Sequence, residues 1–394
     1  MTGLIERSPP TQKGGKGDKM TSGEVHYGLE GVLAGDSAIC QVDHESGGLF
    51  YRGYRIEDLA ERSTFEEVAY LLLMGRLPHQ SELEAFKGTL GRSRIAPERV
   101  LNLLESAPPS AHPMDVLRTA VSLAGMEDPD RDSNDPQANL RKAIRLIAQI
   151  PIFLGAFRSV STGEAPPMPD PALSHPALIL SLLTGVRPDP LDVKVMGVSL
   201  VLYAEHEFNA SSFAARVTAS TLSDLHSAVT SAIGSLKGPL HGGANEAVMQ
   251  MLLEVERIGD AERYILERLH RKERIMGFGH RVLKKGDPRS DIMKRHAEAL
   301  GERKGNRKWF DLSVRIEEIM RREKGLYPNL DFYSASVYHL LGIPVAFDTP
   351  LFVCSRISGW AAHVIEQHDH NRLFRPRCRY VGEKGLAYIP LESR

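Results

Sequence analysis

The sequence predicts an all-α protein carrying a few short β elements near its N-terminus. Three observations support this. From residue 56 onward apolar residues recur at the three-to-four-residue spacing of buried helix faces. Ser, Thr, Asp and Pro stand where those runs begin, and Gly often stands where they end. Strand-like alternation is confined to two short pieces, residues 31–42 and 48–54, both bounded by glycines.

The helical run opens at Thr64, where Ser63 or Thr64 followed by Glu66 and Glu67 makes a capping-box start, and Gly75 marks the stop. Residues 81–90, 97–106 and 114–124 repeat the pattern, the last entered through His112-Pro113. Residues 128–136 form a polar loop, and 139–160 read as a long apolar helix interrupted at Pro151. The Pro-rich stretch 163–171 is the clearest linker. Helices follow over 176–183, 191–205 and 211–236, the last rich in Ala, Ser and Thr and divided near 220–224. Further apolar helices are expected over 244–258 and 350–366. No internal repeat is visible.

With 394 residues, 42% of them hydrophobic, the chain is long enough for two domains. Lys+Arg 49 against Asp+Glu 50 leaves a net charge of -1, so no global field recruits nucleic acid or an anionic membrane. An anionic ligand must be held locally. Cys40, Cys354 and Cys378 are odd in number and lack CxxC spacing, which speaks against a disulfide framework and fits a reducing cytoplasm. Residues 1–27 are polar, without the apolar segment of a signal peptide, and read as a disordered leader. No uninterrupted apolar run reaches the length of a bilayer span.

Five places carry groups fit for chemistry. In Lys237-Gly238-Pro239-Leu240-His241-Gly242-Gly243-Ala244-Asn245-Glu246 a histidine sits between flexible turns at a helix start, where free N–H groups favour negative charge. The plainer reading is a turn with a surface histidine. A second glycine-hinged histidine follows in Gly277-Phe278-Gly279-His280, succeeded by a basic run with Lys284, Asp287 and Arg289. Such a run is commonly a solvated face, yet beside Gly277 and Gly279 it suits a polyphosphate ligand with a flat base. His206 ends an apolar helix, where a structural role beside the helix dipole is the plainer account. Asp331, among apolar and aromatic neighbours, is either a base strengthened by desolvation or a helix N-cap. Arg356, inside an apolar helix, needs an anionic partner, and Arg375 and Arg377 form either a basic tail or a second clamp. Fifteen histidines raise the question of a metal, but the prominent ones lack His-x-x-x-His or His-Glu-x-x-His spacing. No metal or other cofactor is expected.

Taken together, Gly238-Pro239-Leu240-His241-Gly242-Gly243-Ala244-Asn245, Gly277-Phe278-Gly279-His280 with Asp287-Pro288-Arg289, Asn329-Leu330-Asp331 and Arg375-Pro376-Arg377 resemble the citrate synthase family over nearly the whole chain after the leader. Leu202-Tyr203-Ala204-Glu205-His206-Glu207-Phe208-Asn209-Ala210-Ser211, His112-Pro113-Met114, Thr349-Pro350-Leu351-Phe352-Val353 and Gly359-Trp360-Ala361-Ala362-His363 look most like its 2-methylcitrate synthases. The resemblance implies a two-domain helical fold: a large domain over 28–242, a small one over 243–342, and a return with a C-terminal tail over 343–394. It implies a homodimer whose active site is completed by the partner's tail through Arg375, or failing that Arg377.

It implies further that propionyl-CoA condenses with oxaloacetate and water to give 2-methylcitrate and CoA, the thioester being substrate rather than cofactor. Asp331 would act as base, His241 as donor to the thioester oxygen, and His280 as general acid. His206, Arg289, Arg356 and Arg375 would bind oxaloacetate; Lys284, Gly277, Phe278 and Gly279 would meet CoA. Arg281-Val282-Leu283 replaces the Pro-Val-Tyr of some 2-methylcitrate synthases, and the Arg-Pro-Arg ending is shared with citrate synthases. Citrate synthase is therefore the close alternative and use of acetyl-CoA is expected too. A metal-dependent hydrolase or lyase is the remote alternative.

Overall fold

Most helix starts in this chain are set by a side chain that satisfies the first free N–H groups. Asp135, Asp189, Asn209, Asp224, Asp260, Asp287 and Asn329 each accept from a first-turn amide. At Thr64 the reciprocal pair is complete, since Glu67 returns its carboxylate to the Thr64 N–H at 2.8 Å, and Gly75 closes that helix in the left-handed conformation.

The computed structural model describes residues 25–43, 47–164, 170–279 and 286–394. They divide into two compact units, Ser37–Phe374 and the pair Met1–Asp36 with Arg375–Arg394. The larger unit begins with an antiparallel sheet of order β1-β2-β3, formed by β1 (Cys40–Val42), β2 (Leu49–Tyr51) and β3 (Tyr54–Arg55). Cys40 lies opposite Tyr51, and Phe50 opposite Arg55.

Helices follow in order: α1 (Ile56–Arg62), α2 (Phe65–Met74), α3 (Gln80–Arg92), α4 (Glu98–Ser106), α5 (Pro113–Glu127), α6 (Pro136–Thr162), α7 (His175–Thr184) and α8 (Pro190–Tyr203). The remainder are α9 (Ala210–Ser220), α10 (Leu225–Leu236), α11 (Ala244–Ile258), α12 (Ala261–His270), α13 (Pro288–Arg303), α14 (Lys308–Lys324), α15 (Leu330–Leu340) and α16 (Asp348–Asp369). The fold is all-α with a small N-terminal sheet, as the sequence predicts.

The core is built on α6 and α16, which pack against each other. Helix α16 is buried along nearly its whole length, with Trp360 fully enclosed, and it also meets α2, α5, α8, α9, α10 and α11. This central position lets α16 carry Phe352 and Arg356 into the interior of the larger unit. Helices α11 to α15 pack largely among themselves, α13 against α15 and α12 against α14.

Two expectations need correction. Helix α6 runs without a break through Pro151. Proline removes one backbone hydrogen bond, but residues 146–155 are buried on most sides, and that packing outweighs the lost bond. Helix α8 ends at Tyr203 rather than 205, so Glu205 and His206 occupy the turn before α9. Helix α6 is also long and apolar enough to cross a membrane, but most of it is buried inside the protein. The leader residues 1–24 and linker residues 165–169 lie outside the described residues.

In the smaller unit the described residues are mostly irregular, with 3-10 turns at Tyr27–Leu29 and Leu391–Ser393. Arg379 Nη2 donates to the Tyr27 hydroxyl at 3.2 Å. Tyr380, Val381, Leu386, Tyr388 and Leu391 are exposed.

Candidate active site

His241 lies in the tight connection between α10 and α11. Gly242 N donates to Leu236 O at 2.9 Å, and a Cβ at Gly242 would stand 2.6 Å from Leu236 Cγ and 2.7 Å from its carbonyl oxygen. Only glycine lets the chain fold back this closely. The loop is tied to the start of α16, because Thr349 N donates to Glu246 Oε1 at 3.2 Å and Asn245 Nδ2 to Asp348 O at 3.4 Å.

Ser211 fixes the tautomer of His241. The Ser211 backbone N–H, in the first turn of α9, donates to His241 Nε2 at 3.3 Å. The Ser211 hydroxyl lies 2.8 Å from the same nitrogen, is 2.8 Å from Asn209 Oδ1 and accepts from Trp360 Nε1 at 3.1 Å. An N–H can only donate, so Nε2 carries the lone pair and Nδ1 the proton. Burial, helped by the charge of Arg356, pushes the imidazole pKa down to about 3. His241 is therefore a neutral donor through Nδ1.

Asp331 sits in the first turn of α15, but the N-cap is Asn329, whose Oδ1 accepts from Asp331 N at 3.1 Å. This frees the Asp331 side chain for another task. Tyr203, at the end of α8, donates its hydroxyl to Asp331 Oδ1 at 2.7 Å. Burial pushes the Asp331 carboxyl up to about 6, against the Tyr203 hydrogen bond and the charges of Arg289 and Arg356, which pull it down.

Gly277, Phe278 and Gly279 run beside the segment that leads into α15. Asn329 N donates to Gly277 O at 2.9 Å, Gly279 N to Tyr327 O at 2.9 Å, and Asn329 Nδ2 to Gly279 O at 3.1 Å. Gly277 has φ 82°, and a Cβ there would meet Val248 and Phe332 at 2.8 and 2.9 Å. The Phe278 ring packs on Phe332 with centroids 4.5 Å apart. His280 and Lys284 lie outside the described residues.

Two buried arginines supply positive charge. Arg289, in the first turn of α13, is held as a fork by Asp287, with Nε to Oδ1 at 2.9 Å and Nη2 to Oδ2 at 2.8 Å. Burial works against its charge, but the charge and hydrogen bonds of Asp287 prevail, so its pKa stands above the ordinary arginine value. Asp287 Oδ2 also accepts from Leu330 N at 3.2 Å, joining the starts of α13 and α15. Arg356 donates Nε to Tyr203 O at 2.7 Å, while its Nη1 is buried without a partner among the described residues. Burial pulls its pKa down, opposed by Glu205. A buried guanidinium N–H left open in this way suits an incoming carboxylate.

The turn that carries His206 is held from three sides. Tyr51 of β2 donates its hydroxyl to Glu205 O at 2.8 Å and accepts from Glu205 N at 3.2 Å. Glu205 Oε1 pairs with His363 Nε2 at 2.9 Å, and Asn209 Nδ2 donates to His206 O at 3.4 Å. Glu207 has φ 56°, an uncommon conformation for a residue with a Cβ, and the turn keeps it because the flanking residues are fixed. His206 itself is buried.

Phe352 joins these groups. Its ring lies 4.4 Å from that of Tyr203 and 6.3 Å from that of His241, and Arg356 stands 4.6 Å over it. The structure thus brings His241, Asp331, Arg356 and Arg289 around Tyr203 and Phe352. Arg375 and Arg377 are exposed and belong to the smaller unit. Sequence reasoning gave no role to Tyr203, Ser211, Tyr51 or Phe352. The hydroxyl and aromatic content of residues 202–211 was the available signal, but a tyrosine in an apolar helix reads as core. Among the described residues, no group of three or more His, Cys, Asp or Glu is placed to hold a metal ion.

Comparison with known proteins covers most of the chain. The family model "Citrate synthase, C-terminal domain" matches residues 28–377. "Citrate synthase 2" of Bacillus subtilis is 47% identical over 368 residues, covering 93% of this chain and 98% of that one. "2-methylcitrate synthase" of Shewanella oneidensis is 46% identical over 368 residues, covering 93% of this chain and 97% of that one. Among solved structures, the ternary complex of citrate synthase from Thermoplasma acidophilum with carboxymethyl coenzyme A and oxaloacetate matches with TM-score 0.89 at 33% identity, covering 94% of this chain and 100% of that one. A family match over most of the chain, with relatives this similar along almost their full length, places the protein in the citrate synthase family.

Proposed function

We propose that this enzyme condenses an acyl-CoA with oxaloacetate as a 2-methylcitrate synthase that takes propionyl-CoA and also accepts acetyl-CoA. The observation that carries the condensation is the pairing of a desolvated carboxylate, Asp331, with a neutral imidazole, His241, around one aromatic cluster. Asp331 Oδ2 takes a proton from the carbon beside the thioester, and the electron pair of that C–H bond moves toward the thioester oxygen. That carbon is far too weak an acid unless the enolate is stabilised as it forms, and His241 Nδ1–H donates to its oxygen. A donor of this kind is worth about 3–4 kcal/mol in the transition state. The enolate carbon then attacks the oxaloacetate carbonyl, whose oxygen takes a proton from His280, and water cleaves the thioester to release CoA.

Arg289, Arg356, His206 and Arg375 bind the two carboxylates of oxaloacetate in this reading. The preformed Asp287–Arg289 fork and the open Nη1 of Arg356 support it. Lys284 and the backbone of residues 277–279 meet the CoA nucleotide. The small domain over 243–342 closes on the large one, and the packing of α11 to α15 among themselves supports that division. The enzyme is a cytoplasmic homodimer whose exposed tail, bearing Tyr380, Val381, Tyr388 and Leu391, reaches the partner and delivers Arg375. An apolar set of this size favours a covered surface. The native mass in solution checks the dimer, and a monomer that retains full activity would exclude the shared site.

The near-equal identity to a citrate synthase and a 2-methylcitrate synthase keeps the citrate synthase reading alive. A hydrophobic pocket separates substrates differing by one methylene by only about 1–3 kcal/mol. Oxaloacetate-dependent release of free thiol, measured side by side with propionyl- and acetyl-CoA, decides between them. A higher kcat/KM for propionyl-CoA is expected. A strong preference for acetyl-CoA overturns the choice, and no thiol release from either overturns the condensation itself.

A further inference from the structure

We infer that Tyr203 is a positioning residue: its hydroxyl, bonded to Asp331 Oδ1, makes Oδ2 the proton-accepting atom, while its carbonyl oxygen holds Arg356 in register with that base. The inference rests on the condensation proposed above and deepens it.

Tyr203 is buried at the last position of α8 and touches two groups from different helices. Its hydroxyl donates to Asp331 Oδ1 on α15 at 2.7 Å, and its carbonyl accepts from Arg356 Nε on α16 at 2.7 Å. Asp331 Oδ2 has no hydrogen-bond partner among the described residues. A carboxylate with one oxygen held by a donor loses rotation about its terminal bond, and the lone pairs of the other oxygen are aimed. The ring of Tyr203 cannot swing, because Phe352 meets it at 65° and 4.4 Å, and Tyr338 lies 6.5 Å away. Burial keeps the phenol protonated, so it acts as a donor across the working pH range.

The two contacts use different parts of the residue, and this makes them separable. Removing the hydroxyl frees Asp331 but leaves the carbonyl that holds Arg356. The other charged or titratable neighbours of Asp331 are Arg289 and Asp287 at the start of α13, Arg356 on α16 and Tyr338 on its own helix. Glu246 of α11 is engaged with Thr349 and His112, and Glu317 of α14 with Tyr333, which projects from the opposite side of α15. None of these supplies Oδ1 with a substitute donor.

The test is Tyr203→Phe in the full-length enzyme, assayed for oxaloacetate-dependent thiol release across pH. Loss of a donor to the carboxylate raises the acid limb of kcat/KM for the acyl-CoA by about one pH unit. A roughly 10- to 100-fold fall in kcat is expected with it. The isotope effect on acyl-CoA deuterated at the reacting carbon rises, and KM for oxaloacetate stays at the wild-type value. Tyr203→3-fluorotyrosine, a stronger donor of nearly the same shape, moves the acid limb the other way and supplies the readout if the phenylalanine variant does not fold. An acid limb unmoved in the folded variants overturns the inference even if kcat or Tm falls, since a purely structural role produces that pattern. Wild-type enzyme that releases no thiol sinks the condensation instead, so the two failures are distinct.

Discussion

Asp287→Asn tests whether the proposed oxaloacetate clamp and the proposed base are held by a single carboxylate. Asp287 is buried and does three things: it forks Arg289, caps α13 through Arg289 N at 3.1 Å, and accepts from Leu330 N at the start of α15. Asparagine keeps the shape but turns an amide donor toward either Arg289 Nη2 or Nε, and it leaves a buried guanidinium without its counter-charge. Breaking a buried pair on one side costs about 3–5 kcal/mol. Unfolding entropy of about 2.1 cal/mol/K per residue, over a body of roughly 340 residues, makes each kcal/mol worth about 1.4 °C. The expected loss in Tm is therefore about 4–7 °C. KM for oxaloacetate should rise by about 10- to 100-fold, because the substrate must now orient the fork that Asp287 had set. kcat should fall too when the amide takes the place of Oδ2, since the Leu330 N–H then loses its acceptor one residue before Asp331. Thermal unfolding and steady-state kinetics on the same preparation read all three. A Tm within about 1 °C of wild type together with an unchanged KM for oxaloacetate would refute the account.

Two further outcomes follow from the geometry. In the proposed mechanism Asp331 must be ionised to accept a proton, and burial raises its pKa to about 6, so kcat/KM for the acyl-CoA is present above that pH and falls about tenfold per unit below it. His241, held down near 3, contributes no limb of its own in this range, and a pH–rate profile checks both. Gly277→Ala places a Cβ against Val248 and Phe332 and forces alanine into φ 82°, which together cost about 2–4 kcal/mol. Because Gly277 O accepts from Asn329 N, the strain reaches the start of α15, and kcat should fall with stability; denaturation midpoints and turnover equal to wild type would contradict this.

The fold class was legible because many of the helices advertise their own start and their own buried face, although those over Ala261–His270, Pro288–Arg303 and Lys308–Lys324 were not singled out. Thr64, Glu67 and Gly75 specify α2 without help from the rest of the chain. Pro151 misled for the opposite reason: its effect on α6 is decided by α16, α7 and α4 packed around it, which local sequence does not encode. The site divides the same way. Glycine-flanked His241 and Gly277 stood out because their loops need backbone freedom that only glycine gives. Tyr203 and Ser211 did not, because their roles depend on partners 128 and 30 residues away in the chain. The end of α8 at Tyr203, rather than 205, matters for the same reason, since it releases Glu205 and His206 into a turn fixed by Tyr51 from the N-terminal sheet.

The candidate groups share a placement that bears on how the proposed site would combine anion binding with a base. Ser211, Arg289 and Asp331 lie in the first turns of α9, α13 and α15, and His241 lies in the short loop that leads into α11. Helix starts carry partial positive charge, favourable for polyanionic substrates. The same field opposes a general base, because it stabilises Asp331 as an unreactive carboxylate. That effect is worth about 0.3–1 kcal/mol, and about 2 in a partly buried setting. The rise of Asp331 from 3.8 to about 6 corresponds to about 3 kcal/mol in the other direction. Desolvation therefore wins over the helix field, Arg289 and Arg356 together. Desolvation thus sets the basicity of Asp331 more than the charged residues near it do. Opening its surroundings to water would lower the Asp331 pKa toward its ordinary value and weaken the proposed base, while leaving Arg289 and Arg356 in place.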